Sequence, residues 1–185
     1  MTQTADTATK TVFLHTKIEK KQILIFLTNH LPQPFQGSVR YCVEGTDGRV
    51  RGAMADEVKA PADSTVQLIF FDRRELHEKK ELLRMELYDD TGHLLQRTFA
   101  DGPGLRPLKL RDPQLAVSVF LRAGRVFVSV HAARFARDVT LHCADCAFSE
   151  NGFTLFADET KIVELPGAKA DFAGAVTVTS AFDRK

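Results

Sequence analysis

Residues Val126 to Leu155 read Val-Phe-Val-Ser-Val-His-Ala-Ala-Arg-Phe-Ala-Arg-Asp-Val-Thr-Leu-His-Cys-Ala-Asp-Cys-Ala-Phe-Ser-Glu-Asn-Gly-Phe-Thr-Leu, and this stretch decides the fold. Val126, Val128 and Val130 alternate with Phe127, Ser129 and His131. Successive side chains of a strand point to opposite sides, so one face here is aliphatic. Val139, Leu141 and Cys143 repeat the pattern one connection later, and Phe153 and Leu155 resume it after Ser149-Glu150-Asn151-Gly152. That polar run is a turn, with Asn151 or Gly152 expected at positive φ, where other residues are strained. Strand, corner, strand, turn and short strand is the pattern of a β-sandwich.

Upstream, Val12, Leu14, Thr16 and Ile18 share one face of a first strand. The unbroken apolar run from Ile23 to Leu27 suits a central strand. Pro32 and Pro34 make Asn29 to Phe35 a connection. Val39, Tyr41 and Val43 alternate into a hairpin turn at Gly45-Thr46-Asp47-Gly48, and Arg49 to Val58 returns. Ser64 to Phe71 and Leu82 to Tyr88 are further strands, a turn falls at Asp89 to Gly92, and Leu94 to Phe99 closes the set. Only Asp72 to Lys80, rich in charged helix formers, suits either a single helical turn or a polar loop. About seven strands is the count of an immunoglobulin-like sandwich.

Asp101-Gly102-Pro103-Gly104 is the best linker. The chain is therefore expected to be all-β: a flexible lead-in over residues 1–11, a first immunoglobulin-like antiparallel sandwich over 12–104 and a second, smaller one over 105–185. The second begins with Leu115 to Leu121 and ends with Lys161 to Leu165 and Ala175 to Thr179. At its size its core is marginal by itself.

The segments that resemble a known family are Arg134-Phe135-Ala136-Arg137-Asp138-Val139, then Ser149-Glu150-Asn151-Gly152-Phe153-Thr154-Leu155, then Ala157-Asp158-Glu159. In this order they resemble the last domain of the β-mannosidases of glycoside hydrolase family 2. Glu150 stands where that family usually has Asp, and Ala157-Asp158 where it has Pro-Gly; both are turn positions. Arg106 to Pro113 is similar to the family's interdomain connection, and the likeness extends more weakly to the preceding domain. The resemblance implies a parent enzyme that hydrolyses terminal β-D-mannose residues with retention. It makes this chain the non-catalytic C-terminal region, supporting or docking on a (β/α)8 catalytic barrel of the same polypeptide. Retention needs two carboxylates about 5–5.5 Å apart, which the family carries on that barrel. A barrel needs about 250 residues of alternating strand and helix, which this chain lacks. No catalytic residue is therefore carried over. Glu57, Glu75, Glu78, Glu81, Glu86, Glu150, Glu159 and Glu164 are read as solvated surface groups.

Other chemistry is thinly represented. A net charge of +1 gives no reason to expect nucleic acid or a membrane surface as partner, and the apolar runs are too short to span a bilayer. Three cysteines cannot all pair internally, so this is no disulfide scaffold. Cys143-x-x-Cys146 lacks the second half of a zinc site and is read as buried or strand-end thiols. His15, His30, His77, His93, His131 and His142 show no ligand spacing; His131 and His142 are expected on adjacent strands. No cofactor and no metal site are expected. The alternative reading is a free-standing carbohydrate-binding or protein-interaction sandwich. Carbohydrate stays a candidate partner, although sugar-binding sheets commonly use Trp or Tyr and this chain has no Trp and only Tyr41 and Tyr88. Leu24, Phe26, Ile69, Phe71, Phe120 and Phe127 lie opposite the core-filling face of their strands, which marks a docking surface. Far-UV circular dichroism should show a β spectrum; a helix content near the globular average of about 30% would contradict this reading.

Overall fold

A computed structural model describes residues 11–77, 79–100, 105, 107–144, 146–169, 172 and 174–184. The lead-in up to residue 10 and the linker 101–104 lie outside the described residues. Among the described residues there are thirteen strands, one short 3-10 turn and no α-helix. The chain divides into two compact units, residues 1–45 with 50–108, and residues 46–49 with 109–185.

In the first unit β1 (Val12–Glu19), β2 (Gln22–Asn29) and β5 (Ser64–Asp72) form a sheet ordered β1-β2-β5. Its partner sheet contains β3 (Phe35–Gly45), β4 (Val50–Ala60), β6 (Glu81–Asp89) and β7 (Leu94–Phe99), ordered β4-β3-β6-β7. All pairs are antiparallel. Leu14, Ile23, Ile25 and Leu27 from one sheet meet Val39, Tyr41, Met85 and Leu87 from the other in a closed core. Each such side chain, fully buried, stabilises the fold by about 1.5–3 kcal/mol. The apolar run of β2 is explained by its central place between β1 and β5.

One sequence expectation fails in β5. The register slips between Ile25 and Phe26, pairing Ile25 with Ile69 but Phe26 with Gln67. Leu68 is the extra residue of this bulge, and the strict two-residue period breaks there. Ile69 and Phe71 therefore pack on the core, while Phe70 turns out to solvent at 58% exposure. A second bulge interrupts β4 opposite Tyr41 and Val43, where Gly52 has φ +61°. β4 is the edge of its sheet and is exposed on both faces from Val50 to Glu57; a glycine bulge and the charges of Arg51, Asp56 and Glu57 are common protections of such an edge. Between β5 and β6, Asp72 caps the 3-10 turn Arg73–Glu75 by accepting from the Arg74 backbone amide. The ambiguous segment thus opens with one helical turn, Arg73–Glu75.

The second unit contains β8 (Leu115–Arg122), β9 (Arg125–Ala132), β10 (Ala136–His142), β11 (Phe153–Leu155), β12 (Glu159–Glu164) and β13 (Thr177–Thr179). Its sheets are ordered β12-β9-β8 and β11-β10-β13. Placed beside β1-β2-β5 and β4-β3-β6-β7, this is the same topology strand for strand, with no counterpart of β7 among the described residues. Val126, Val128 and Val130 of β9 face Val139, Leu141 and Leu155 across the core.

The Phe-Ala-Arg-Asp-Val corner is a bulge: β10 pairs Ala136 with Leu155 and Val139 with Phe153, and Asp138 between them has φ +52°. The buried rings of Phe135 and Phe156 close its outer end, 5.8 Å between centroids. In the turn, Gly152 has φ +73°, as expected, and its amide donates to the Val139 carbonyl at 3.1 Å. Asn151 extends the pairing with its side chain. Its Oδ1 accepts from the Leu141 amide at 2.8 Å, and its Nδ2 donates to the Leu141 carbonyl at 2.9 Å. A Cβ on Gly152 would meet nothing within 4 Å, so only backbone strain opposes substitution there. Gly152→Val should cost roughly 1–3 kcal/mol, read as a lower denaturation midpoint; an unchanged midpoint would refute the assignment.

Candidate functional site

The carboxylates are the first place to look for glycosidase chemistry. Glu57, Glu75 and Glu150 are exposed, Glu159 and Glu164 half-buried, and Glu78 lies outside the described residues. Glu81 is held in a two-pronged pair by Arg51, at 3.1 and 2.7 Å, and accepts the His77 amide. Glu86 departs from its expected surface role: it is 3% exposed. It sits on the face of β6 turned away from the first core, where Arg97 Nε donates to it at 2.7 Å and the Tyr88 hydroxyl at 2.7 Å. Glu44 on neighbouring β3, which was not singled out in the sequence, is fully buried beside it and accepts from Arg84 Nη1 at 2.6 Å. Arg84 Nε also lies 3.6 Å from Glu86.

Two buried carboxylates between two guanidinium groups satisfy the rule that buried charges must be paired. Burial opposes ionisation of Glu86, but Tyr88, Arg97 and Arg84 together outweigh it and hold its carboxyl below the usual glutamate range. A general acid for glycoside cleavage needs the opposite shift. The cluster is thus a structural ion network. No sequence period announces it, because Cys42-x-Glu44 and Arg84-x-Glu86 read as ordinary solvent-side alternation.

The histidines do not converge. His131 and His142 belong to different sheets, contrary to expectation, because the chain crosses between sheets after Ala132. His131 bonds Thr160 on β12 at 3.1 Å, and His142 bonds Thr179 on β13 at 2.8 Å. No group of three metal-ligating side chains occurs among the described residues. Cys143 and Cys146 are not thiols, as expected from sequence, but partners in a disulfide; Cys42 is the buried thiol.

The solvent side of the β1-β2-β5 sheet carries a row of rings. Phe13 lies 5.8 Å from His30 and 5.9 Å from His15, and His15 stacks on Phe26 at 5.3 Å with planes 12° apart. His15 bonds Thr28 Oγ1, which bonds Thr65 Oγ1. Partial burial in this row pushes His15 below the ordinary histidine range. Phe70 and Leu24, paired across β5 and β2, extend the row. On the second unit, Phe120 and Phe127 stack at 5.7 Å on the outer face of β8 and β9, with Ile162 55% exposed on β12. Of the six side chains expected to face outward, Leu24, Phe26, Phe120 and Phe127 do so, half-buried; Ile69 and Phe71 do not.

These features define a pair of immunoglobulin-like sandwiches with apolar outer faces. Residues 110–184 match the Ig-fold domain family of mannosidases, Ig_mannosidase. The second sandwich thus matches an Ig-fold domain of the mannosidase type, the family that its corner and turn resemble. In fold, the chain is similar to the β-D-mannosidase of Dictyoglomus thermophilum, with TM-score 0.72 and 18% identity over 92% of this chain and 22% of that one. It is also similar to the exo-chitosanase CsxA of Amycolatopsis orientalis, with TM-score 0.63 and 12% identity over 90% of this chain and 25% of that one. The chain therefore spans a quarter or less of the length of these proteins. By sequence alone, no curated protein matches it.

Both tyrosines sit where ionisation is costly. Tyr41 is 1% exposed, with no hydrogen-bond partner for its hydroxyl among the described residues. Burial, then the Asp56 charge, pushes it up to about 12. Burial and the bond to Glu86 raise Tyr88. A phenol whose folded pKa lies above its unfolded value stabilises the fold below the unfolded value, about 10, and loses that contribution as pH rises through the folded one. Phenolate absorbance should therefore appear later in the folded chain than in the denatured chain, and stability should fall between pH 10 and 12. A titration in which both phenols ionise at the denatured-state pH would refute this burial.

Proposed function

We propose that this chain is the C-terminal, non-catalytic sandwich region of a β-mannosidase-like glycoside hydrolase, and that it serves by docking on the catalytic barrel. The observation carrying this reading is the likeness in fold of 92% of this chain to about a fifth (22%) of a β-D-mannosidase, joined to the mannosidase Ig-fold match over residues 110–184. The apolar solvent-side row supports the docking half. Phe13, Phe26 and Phe70 stand on a sheet face that would be polar in a free-standing sandwich. His15 and Phe26 cover each other's ring faces, leaving less flat aromatic surface for a pyranose ring. Protein docking therefore stands ahead of carbohydrate binding.

By itself the chain should release no aglycone from an aryl β-mannoside. A catalytic barrel supplied in trans should bind it and raise its melting temperature, as any ligand of the folded state does. Phe70→Asp should weaken that binding by roughly tenfold or more, the cost of losing one buried aromatic anchor. Turnover by the isolated chain that disappears when one of its own carboxylates is changed would overturn the proposal. So would a barrel whose affinity ignores Phe70→Asp and every other change on the row.

A further inference from the structure

We propose that Cys143 and Cys146 form a reversible thiol–disulfide pair, opened and closed by small thiols of the glutathione type, and not a staple on which the sandwich depends. The two residues are three positions apart, with Cα atoms 5.6 Å apart. They follow directly on β10, in its connection to β11, and both side chains are half-buried. Accessible disulfides are the labile ones. A ring closed over so short a separation also removes little freedom from the unfolded chain, which puts its stabilisation at the low end for disulfides.

The connection is anchored without it. The Ser149 amide donates to the Glu164 carbonyl at 2.9 Å, and the Glu164 amide donates back to Ser149 Oγ at 3.1 Å. Asn151 holds both backbone groups of Leu141, and Phe148 packs on the second core. Opening the pair leaves each of these contacts in place. Cys42 takes no part, since it is 2% exposed and burial pushes its thiol up, away from the reactive thiolate.

The two sulfurs differ in surroundings. Cys146 packs against the second core, whereas Cys143 lies outside that cluster with its sulfur 3.3 Å from the Ala144 carbonyl oxygen. An incoming thiolate therefore attacks Cys143. The Cys143–Cys146 bond breaks, a mixed disulfide forms on Cys143, and Cys146 leaves as thiolate. A second thiolate attacks the glutathione sulfur of the mixed disulfide and releases Cys143. Two electrons pass to the protein, each cysteine takes up a proton, and one oxidised glutathione is formed. Closure runs the same steps backward.

The test uses the full chain equilibrated in mixtures of reduced and oxidised glutathione, quenched in acid, alkylated and weighed. Excess millimolar reduced glutathione should expose two alkylatable thiols with an unchanged β spectrum. Oxidised glutathione should hide both, and Cys42 should react only after denaturation. In Cys146→Ser the remaining Cys143 should take up glutathione several-fold faster than Cys146 does in Cys143→Ser. Three outcomes would each overturn the proposal: a pair that stays closed in excess reduced glutathione, thiols that persist in oxidised glutathione, or reduction that collapses the β spectrum.

Discussion

The carboxamide of Asn151 meets both backbone groups of Leu141, at 2.8 and 2.9 Å, and the second sandwich is arranged around that pair. β11 runs only from Phe153 to Leu155, so it cannot bond the whole flank of β10. Beyond Val139 the peptide groups of β10 would lie beside the core unsatisfied, a loss of about 1–3 kcal/mol for each group. The side-chain amide, which carries one donor and one acceptor in the geometry of a peptide, continues the ladder for one more residue. The chain can then leave the sheet, carry Cys143 to Glu150 across to β12, and return through Gly152. The first sandwich uses the same device at another edge: Gln96 of β7 accepts from the Leu14 amide at 2.6 Å and donates to its carbonyl at 3.3 Å. There it ties the edge strand β1 to the opposite sheet.

Buried polar groups elsewhere follow the same rule. Asn29 is fully buried at the end of β2. Its Nδ2 donates to the carbonyls of Gln33, Ala60 and Pro61, and its Oδ1 accepts from the Leu31 amide. The proline-bearing connection to β3 thereby gains the partners that a strand ladder would have given it. Glu44 and Glu86 need more, because an unpaired buried carboxylate costs far more than an unpaired amide. Arg84, Arg97 and Tyr88 supply it. Such a network adds little net stability over an apolar replacement, while removal of one member leaves an uncompensated charge.

The strands and the main turns were legible in the sequence because burial of one face imposes a period of two, and because turn residues interrupt it. What escaped has a common cause. Bulges shift that period without changing composition: Ile69 and Phe71 read as outward because nothing in Leu68-Ile69-Phe70-Phe71 shows that one residue is extra. Glu86 read as a surface glutamate because its burial depends on what lies over an outer sheet face. His131 and His142 read as neighbours because a short corner between two strands can be a hairpin or a crossing between sheets. Alternation is the same in either case. The Cys143–Cys146 pairing likewise rests on the path of one connection.

The two units share their topology, and β7 of the first has no counterpart among the described residues of the second. In the first, β7 pairs with β6 and reaches across to β1 through Gln96. In the second, β8 is the counterpart of β1, and Val119 and Leu121 pair with the inward-facing Val128 and Val126. They belong to the core side of their strand, yet they are 41% and 54% exposed. Leu115 and Val117, nearer the other end of the strand, pack on the core. Among the described residues, the second sandwich therefore closes over one end of β8 and leaves Val119 and Leu121 uncovered at the other, where the facing strand β13 is three residues long. With so little apolar area enclosed, the unit relies on local anchors. The Phe135–Phe156 ring pair, the Asn151 amide and the Ser149–Glu164 exchange each fix a connection that strand packing alone would leave loose. That explains why the stretch from Arg134 to Leu155, with its bulge and its positive-φ turn, carries so much of the information that specifies the domain.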